Sequence, residues 1–243
     1  MNLSFFKKHI AAFILVATAF SFSACEREVL RGHGDDVTRT RTVGNFDEIE
    51  MGGEFEVYLT QGPAKDIVLE GQENVLADVR TTTRNNKLEI DFRSHRVKIS
   101  EPVRVYITTP ELTSLSISGV NKVRGLTDWH INDLALKSSG SGEIDLTLLG
   151  ADNVETRISG SGEINLKGEA YSHNLEISGS GKLAAFDLYT ARTEVNISGS
   201  GKSDVRVAES LQAKISGSGT VRYKGNPAVS TSVSGSGKIQ KWD

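Results

Sequence analysis

From residue 113 onward the chain alternates apolar and polar positions, and every 18 to 21 residues it interrupts the alternation with nearly the same four residues. The tetrad Ser-Gly-Ser-Gly starts at Ser139, Ser159, Ser178, Ser198, Ser216 and Ser234, and a degenerate copy, SGVN, starts at Ser118. Immediately before these stand Ile117, Ser138, Ile158, Ile177, Ile197, Ile215 and Val233. Two residues earlier come Leu115, Leu136, Thr156, Leu175, Val195, Ala213 and Thr231. The second residue past each tetrad is Val123, Ile144, Ile164, Leu183, Ser203, Val221 or Ile239. Period-two alternation rich in branched side chains predicts strands. A unit this short cannot close a core of its own, so the copies must stack. The expected fold is all-β: a parallel β-helix, a single-stranded and right-handed solenoid of about seven coils, with each strand bonded to its equivalents ~4.8 Å away.

On that reading the tetrads are structural turns, formed by Ser139-Gly140, Ser159-Gly160, Ser178-Gly179, Ser198-Gly199, Ser216-Gly217 and Ser234-Gly235. A strand that bends at the same place on every coil needs positive φ or close backbone approach, and glycine supplies both. Serine is expected to bond local backbone and to set its hydroxyl against the serine of the next coil. A flexible Gly-Ser linker would share the composition, but not the Ile, Leu and Val at fixed offsets.

Residues 44–112 are β-rich without the tetrad. EFEVYLTQGPAKDIVLEG alternates Phe55, Val57 and Leu59, turns at Gln61-Gly62-Pro63 and resumes at Ile67 and Leu69, which predicts a hairpin. VRTTTRNNKLEIDF predicts a second, turning at Asn85-Asn86. The region is expected to continue or cap the stack, because solenoid ends expose unpaired backbone groups. At the far end Trp242 is expected to cover the last coil.

Residues 1–24 carry Lys7 and Lys8, an apolar run from Ile10 to Phe20, and small residues before Cys25, the only cysteine. This is the pattern of a secretory signal, too short for a stable membrane span. It resembles a lipoprotein lipobox, with Phe22 where leucine is usual, and the resemblance implies lipid attachment at Cys25. Residues 25–43 are polar and charged, as a tether would be, with the solenoid assigned to 113–243. CEREV also resembles the surface-export signals of some Bacteroidetes-type lipoproteins. A single cysteine leaves no disulfide to stabilise an exported chain. Without Lys7 and Lys8, the 28 basic and 31 acidic side chains become 26 and 31, a formal charge of −5. That balance argues against nucleic acid, which needs a basic footprint.

Parallel β-helices include polysaccharide-cleaving enzymes, whose chemistry needs paired carboxylates. Glu143 and Glu163 occupy one ladder position, roughly 5 Å apart at the root, close enough for glycoside chemistry. The same position continues with Lys182, Lys202, Thr220 and Lys238, the mixed row of a solvated face. Asp145 and Asp204 are expected on outward positions without acidic neighbours. His33, His95, His130 and His173 show no ligand spacing, so neither a metal nor a cofactor is expected. The serines have no His or Asp at fixed offsets to activate them, and the tetrads lack the aspartate of calcium-binding β-roll turns. The repeat's few aromatics, Tyr171, Phe186, Tyr189 and Tyr223, are read as corner packing or as a sugar-stacking platform.

GNFDEIEMGGEFEVYLTQG, VRVYITTPELTSLSISG and the serial ISGSGEI and ISGSGKL units together resemble the head GIN domain family of putative auto-transporter adhesins, over about residues 44–239. The resemblance implies a β-helix-like fold and a place in the cell envelope, and its family name implies adhesion; it brings no catalytic or binding residues with it. The reading is of a non-enzymatic lipoprotein, anchored to the outer membrane by its lipid, whose solenoid binds a surface glycan or protein. A carbohydrate-active enzyme on the same fold and a passive structural or envelope-stress component are the alternatives, and the oligomeric state is open.

Overall fold

The structure, a computed structural model, describes residues 29–94 and 96–243. The leader, Cys25 and His95 lie outside the described residues. Among the described residues strand makes up 71% and helix 3%, so the architecture rests on ladders alone.

The N-terminal strands are β1 (Leu30–Arg31), β2 (Asp36–Arg41), β3 (Glu48–Gly53), β4 (Phe55–Gln61) and β5 (Ile67–Gln72); after the short helix α1 (Glu73–Asp78) come β6 (Val79–Arg84), β7 (Lys87–Phe92), β8 (Val97–Lys98) and β9 (Val103–Thr109). The solenoid comprises β10 (Ser114–Gly119), β11 (Lys122–Gly125), β12 (Asp133–Gly140), β13 (Glu143–Gly160), β14 (Glu163–Gly179), β15 (Lys182–Gly199), β16 (Lys202–Gly217), β17 (Thr220–Lys224), β18 (Ala228–Gly235) and β19 (Lys238–Lys241). From β13 to β16 each strand runs from one tetrad to the next and bends midway, so one strand makes one coil.

The tetrads line up: Ser118 lies on Ser139, then Ser159, Ser178, Ser198, Ser216 and Ser234, all in parallel register. The ladder continues through the corner, where the second serine donates its N–H to the first glycine's carbonyl one coil back, as Ser161 does to Gly140 at 2.9 Å. Glycine is required there. Gly160 has φ +127°, and a Cβ on it would sit 2.7 Å from the Gly140 carbonyl oxygen. Gly181 has no such φ, but a Cβ would sit 2.3 Å from Ile158 Cγ2 on the coil behind. The first serines stack on one another in register from coil to coil. Among the described residues no tetrad hydroxyl hydrogen-bonds the serine of the next coil, and Ser118 donates to the Met51 carbonyl.

The solenoid makes about six turns, not seven. Seven corners bound only six complete turns, and β19 with two further residues does not close another. Inside, the three columns named from the sequence are buried as far as Val221, including Ile158, Ile177, Ile197, Leu175, Ile144 and Leu183. The longest turn, between Ser118 and Ser139, is filled by the fully buried Trp129. The expected cover of the last coil is absent: Trp242 lies on the flank, its ring 4.6 Å from the Arg222 guanidinium, and Val233 stays 44% exposed.

β3 and β4 stand directly under β10 and β11 in the same columns, with Gly52 under Ser118 and Gly53 under Gly119. GGEF is therefore an earlier copy of the corner. Beneath it, β7 and β9 pair in parallel with β3 and β4; then the sense reverses, with β5 antiparallel to β9, β2 to β5 and β6 to β7. The hairpin expected at Asn85-Asn86 forms, with φ of 50° and 61° at the two residues. β4 and β5 do not form the other: β9 lies between them, parallel to one and antiparallel to the other. Asp36–Arg41, in the segment read as a tether, is β2 on the edge of this sheet.

A candidate binding surface on the return edge

The carboxylates that sequence spacing singled out are paired with neighbouring side chains on a half-exposed face. Glu143 and Glu163 are register neighbours, but Glu163 is tied to Lys182 at 2.6 Å, and Glu143 accepts from Asn165 at 3.4 Å. A general acid needs a carboxyl held neutral in an apolar pocket; here the row is half-exposed and countered by lysine. Asp145 is half-buried on the outer face. Asp204 departs from its expected solvated position: it is 7% exposed and bound bidentately by Arg222, with Nε 2.6 Å from Oδ1. Those hydrogen bonds hold the Arg222 pKa above the usual guanidinium range. Phe186 and Trp242 rings flank the same guanidinium at 5.4 and 4.6 Å, so the cluster ties the last coils together.

The histidines are dispersed. His33 and His130 are exposed, and both use backbone N–H groups, toward Asn74 and Gln61. His173 is in the core, bonded through Nε2 to Thr156 Oγ1 at 3.0 Å, and burial pushes its imidazole down to about 4. No group of three or more His, Cys, Asp or Glu side chains suited to a metal occurs among the described residues.

The tyrosines, in contrast, converge. Opposite the tetrads each coil bends a second time, and that return edge is also built from small residues. Gly168 has φ +102°, and a Cβ on it would meet the Leu148 carbonyl oxygen at 1.8 Å. The column that follows, Ala151, Ala170, Thr190 and Val207, is buried. On its outer side two rows of side chains face solvent. In one, Glu169, Tyr189 and Arg206 are consecutive register partners. The other holds the residues just after the buried column: Asp152, Tyr171, Ala191 and Ala208. Because alanine replaces a large side chain at 191 and 208, the surface above Tyr171 is hollowed into an open groove of about 770 Å³, lined by Tyr189 and Arg206 and also by Asp152 and Asn226.

Both rings are presented rather than packed. Tyr171 is 51% and Tyr189 55% exposed, and each is braced by an arginine, Arg192 at 5.4 Å from the first ring and Arg206 at 4.5 Å from the second. Such cation–π contacts fix ring orientation at a cost of little exposed area. The groove therefore offers aromatic faces flanked by planar hydrogen-bonding groups. Phe186 and Tyr223, read alongside these tyrosines in the sequence, lie outside it. Sequence reasoning missed the small-residue floor and Arg206. The signal was present in Gly150, Gly168 and Gly225 and in the alanines after them, but spacing of 18 and 57 residues hides the repeat.

Comparison with known proteins places the chain in context. Residues 45–227 match the family described as putative auto-transporter adhesin, head GIN domain. A crystal structure of a putative adhesin from Bacteroides fragilis superposes with a TM-score of 0.82 at 27% identity, covering 88% of this chain and 100% of that one. A putative lipid binding protein from Parabacteroides distasonis (TM-score 0.75, 24% identity, 89% and 100% covered) and a putative adhesin from Parabacteroides merdae (0.67, 22%, 88% and 99%) share the fold. No curated protein matches the chain.

Proposed function

We propose, for a chain that belongs to the head GIN domain family of putative auto-transporter adhesins, a non-enzymatic role at the cell envelope in which the Tyr171–Tyr189 groove holds a surface glycan. The observation that carries the reading is the pair of half-exposed tyrosines, each braced by an arginine, over a floor of alanine. Sugar rings present C–H faces that stack on aromatic rings, and hydroxyls that bond planar acceptors and donors. Asp152, Glu169, Arg206 and Asn226 supply those groups along the same groove. Preformed concave sites with few polar groups are where small ligands bind. The binder is lipid-anchored through Cys25 in the outer membrane. Its non-enzymatic character is supported by the lysine countering Glu163.

A glycan array probed with the full-length protein in detergent tests this. Binding of at least one glycan class is expected, and Tyr171→Ala and Tyr189→Ala are each expected to weaken it about tenfold, the equivalent of roughly 1.4 kcal/mol. An array at background, or binding untouched by both substitutions, overturns the reading. Release of reducing ends from the same glycans would overturn its non-enzymatic part. Exposure is separable: an epitope tag at the C-terminus should be cleaved by protease on intact cells, and protection until permeabilisation would rule out adhesion.

A further inference from the structure

The two ends of the solenoid are finished differently. At the N-terminal end the outermost strands are β2, sequence DVTRTR, and β6, sequence VRTTTR, both rich in charge. Charged side chains on an edge strand oppose pairing with another chain. At the other end β18 pairs with β16 along one side only, and all eight of its residues are exposed.

Along this strand's outward positions the preceding coils carry Lys137, then Glu155 and Arg157, Glu176, Glu194 and Lys214. In β18 those positions are Ser230 and Ser232. The strand that most needs a guarding charge thus has none. Its neighbour at the same end, β19, is guarded: Lys241 stands over Tyr223, in the column that is inward and buried at Val205. The Lys241 side chain is exposed, with the ammonium 3.3 Å from Asn226 Oδ1, and a lysine on an edge strand opposes pairing with another chain. Protection is therefore present on β19, β2 and β6 and missing from β18.

What β18 presents fits itself. Residues 229–233 read Val-Ser-Thr-Ser-Val, identical in both directions about Thr231. The valines are 42% and 44% exposed. Outward residues of these columns turn their backbone toward the coil behind, as Ala135 of β12, the register equivalent of Ser230, does in donating to the Thr113 carbonyl. Alternation then directs the N–H and C=O groups of Val229, Thr231 and Val233 to the open edge. A twofold axis through Thr231 would set Thr231 against Thr231 of a second copy, and Val229 against Val233 of that copy. All three are hydrogen-bonded antiparallel pairs, about six bonds in total, with valine against valine on the core side and serine against serine outside.

We infer that β18 is a self-pairing edge, through which two copies of this chain join end to end as a twofold dimer with one continuous ladder. The proposal goes beyond glycan binding and does not depend on it. Light scattering on the full-length protein in detergent should give a protein mass of two chains. Thr231→Lys, which places two like charges at the axis of an already exposed strand, should raise the dissociation constant at least about tenfold with an unchanged β-sheet circular dichroism spectrum. Both proteins keep the same N-terminus, so mere sharing of a micelle would leave their masses equal, and equal masses overturn the proposal. In the second measurement, a short bis-maleimide should cross-link Thr231→Cys to a dimer but neither Ser178→Cys, three coils back, nor the parent chain with Cys25 alone. A monomeric parent, or cross-linking at 178 and not at 231, also overturns it.

Discussion

Ser138 and His173 are polar side chains in columns that are otherwise apolar, and their environments set opposite consequences. Ser138 takes the place held by isoleucine in the next four coils; it is fully buried, and its hydroxyl has no partner among the described residues. Leaving such a group unsatisfied costs about 1 kcal/mol or more. Ser138→Ala should therefore raise the urea midpoint by the equivalent of about 1 kcal/mol with an unchanged slope. His173 is bonded to Thr156, and its burial favours the neutral imidazole. Its folded pKa, about 4, lies below the ordinary 6.5, so the unfolded chain takes up the proton first. The fold keeps its full stability above pH 6.5 and loses it as pH falls toward 4, by about 3 kcal/mol at most. Denaturation midpoints across that range should show the slope, and in His173→Leu with Thr156→Val that part of the slope should vanish.

At the scale of the element, the SGSG corner tolerates change at one of its two residue types. Gly160→Ala forces a side chain into a backbone conformation reserved for glycine and against the Gly140 carbonyl. A loss of about 3 kcal/mol or more is expected from strain and clash together. Ser161→Ala, on the exposed residue beside it, should stay within about 0.5 kcal/mol, and paired urea titrations separate the two. This also explains what was legible in the sequence. The tetrads were readable because backbone packing leaves only glycine, so the letters recur. Asn85-Asn86 was readable because a tight antiparallel turn demands positive φ. GGEF at residues 52–55 was not, because the column fixes only its glycines, with Phe55 in place of Asn121 one coil on. The insertion of β9 between β4 and β5 was hidden for another reason: local alternation marks strands but not their partners. The groove was the least legible part, since Tyr171 and Tyr189 lie in different rows and come to line one groove only through the bend.

In the whole molecule each coil is held by the coils on either side, so stability should fall where a neighbour is missing. Amide exchange should be slowest at Ile164 and Asn165 in β14, between two full coils, and faster at Ile239 and Gln240 in β19, which pairs on one side only. Equal protection at both places would mean the stack unfolds as one unit. The register of the stack is uneven in one respect. Irregularities fall between Leu148 and Ala151, Asn165 and Lys167, Ala185 and Tyr189, and Thr190 and Arg192, all along the return edge, while the tetrad corners have none. Coils of 18 and 21 residues can therefore share one straight corner because their difference in length is taken up on the opposite side. Insertions and deletions there would be inherited without disturbing the scaffold, so in descendants of this protein ligand preference could diverge quickly along one margin while the rod itself stayed constant.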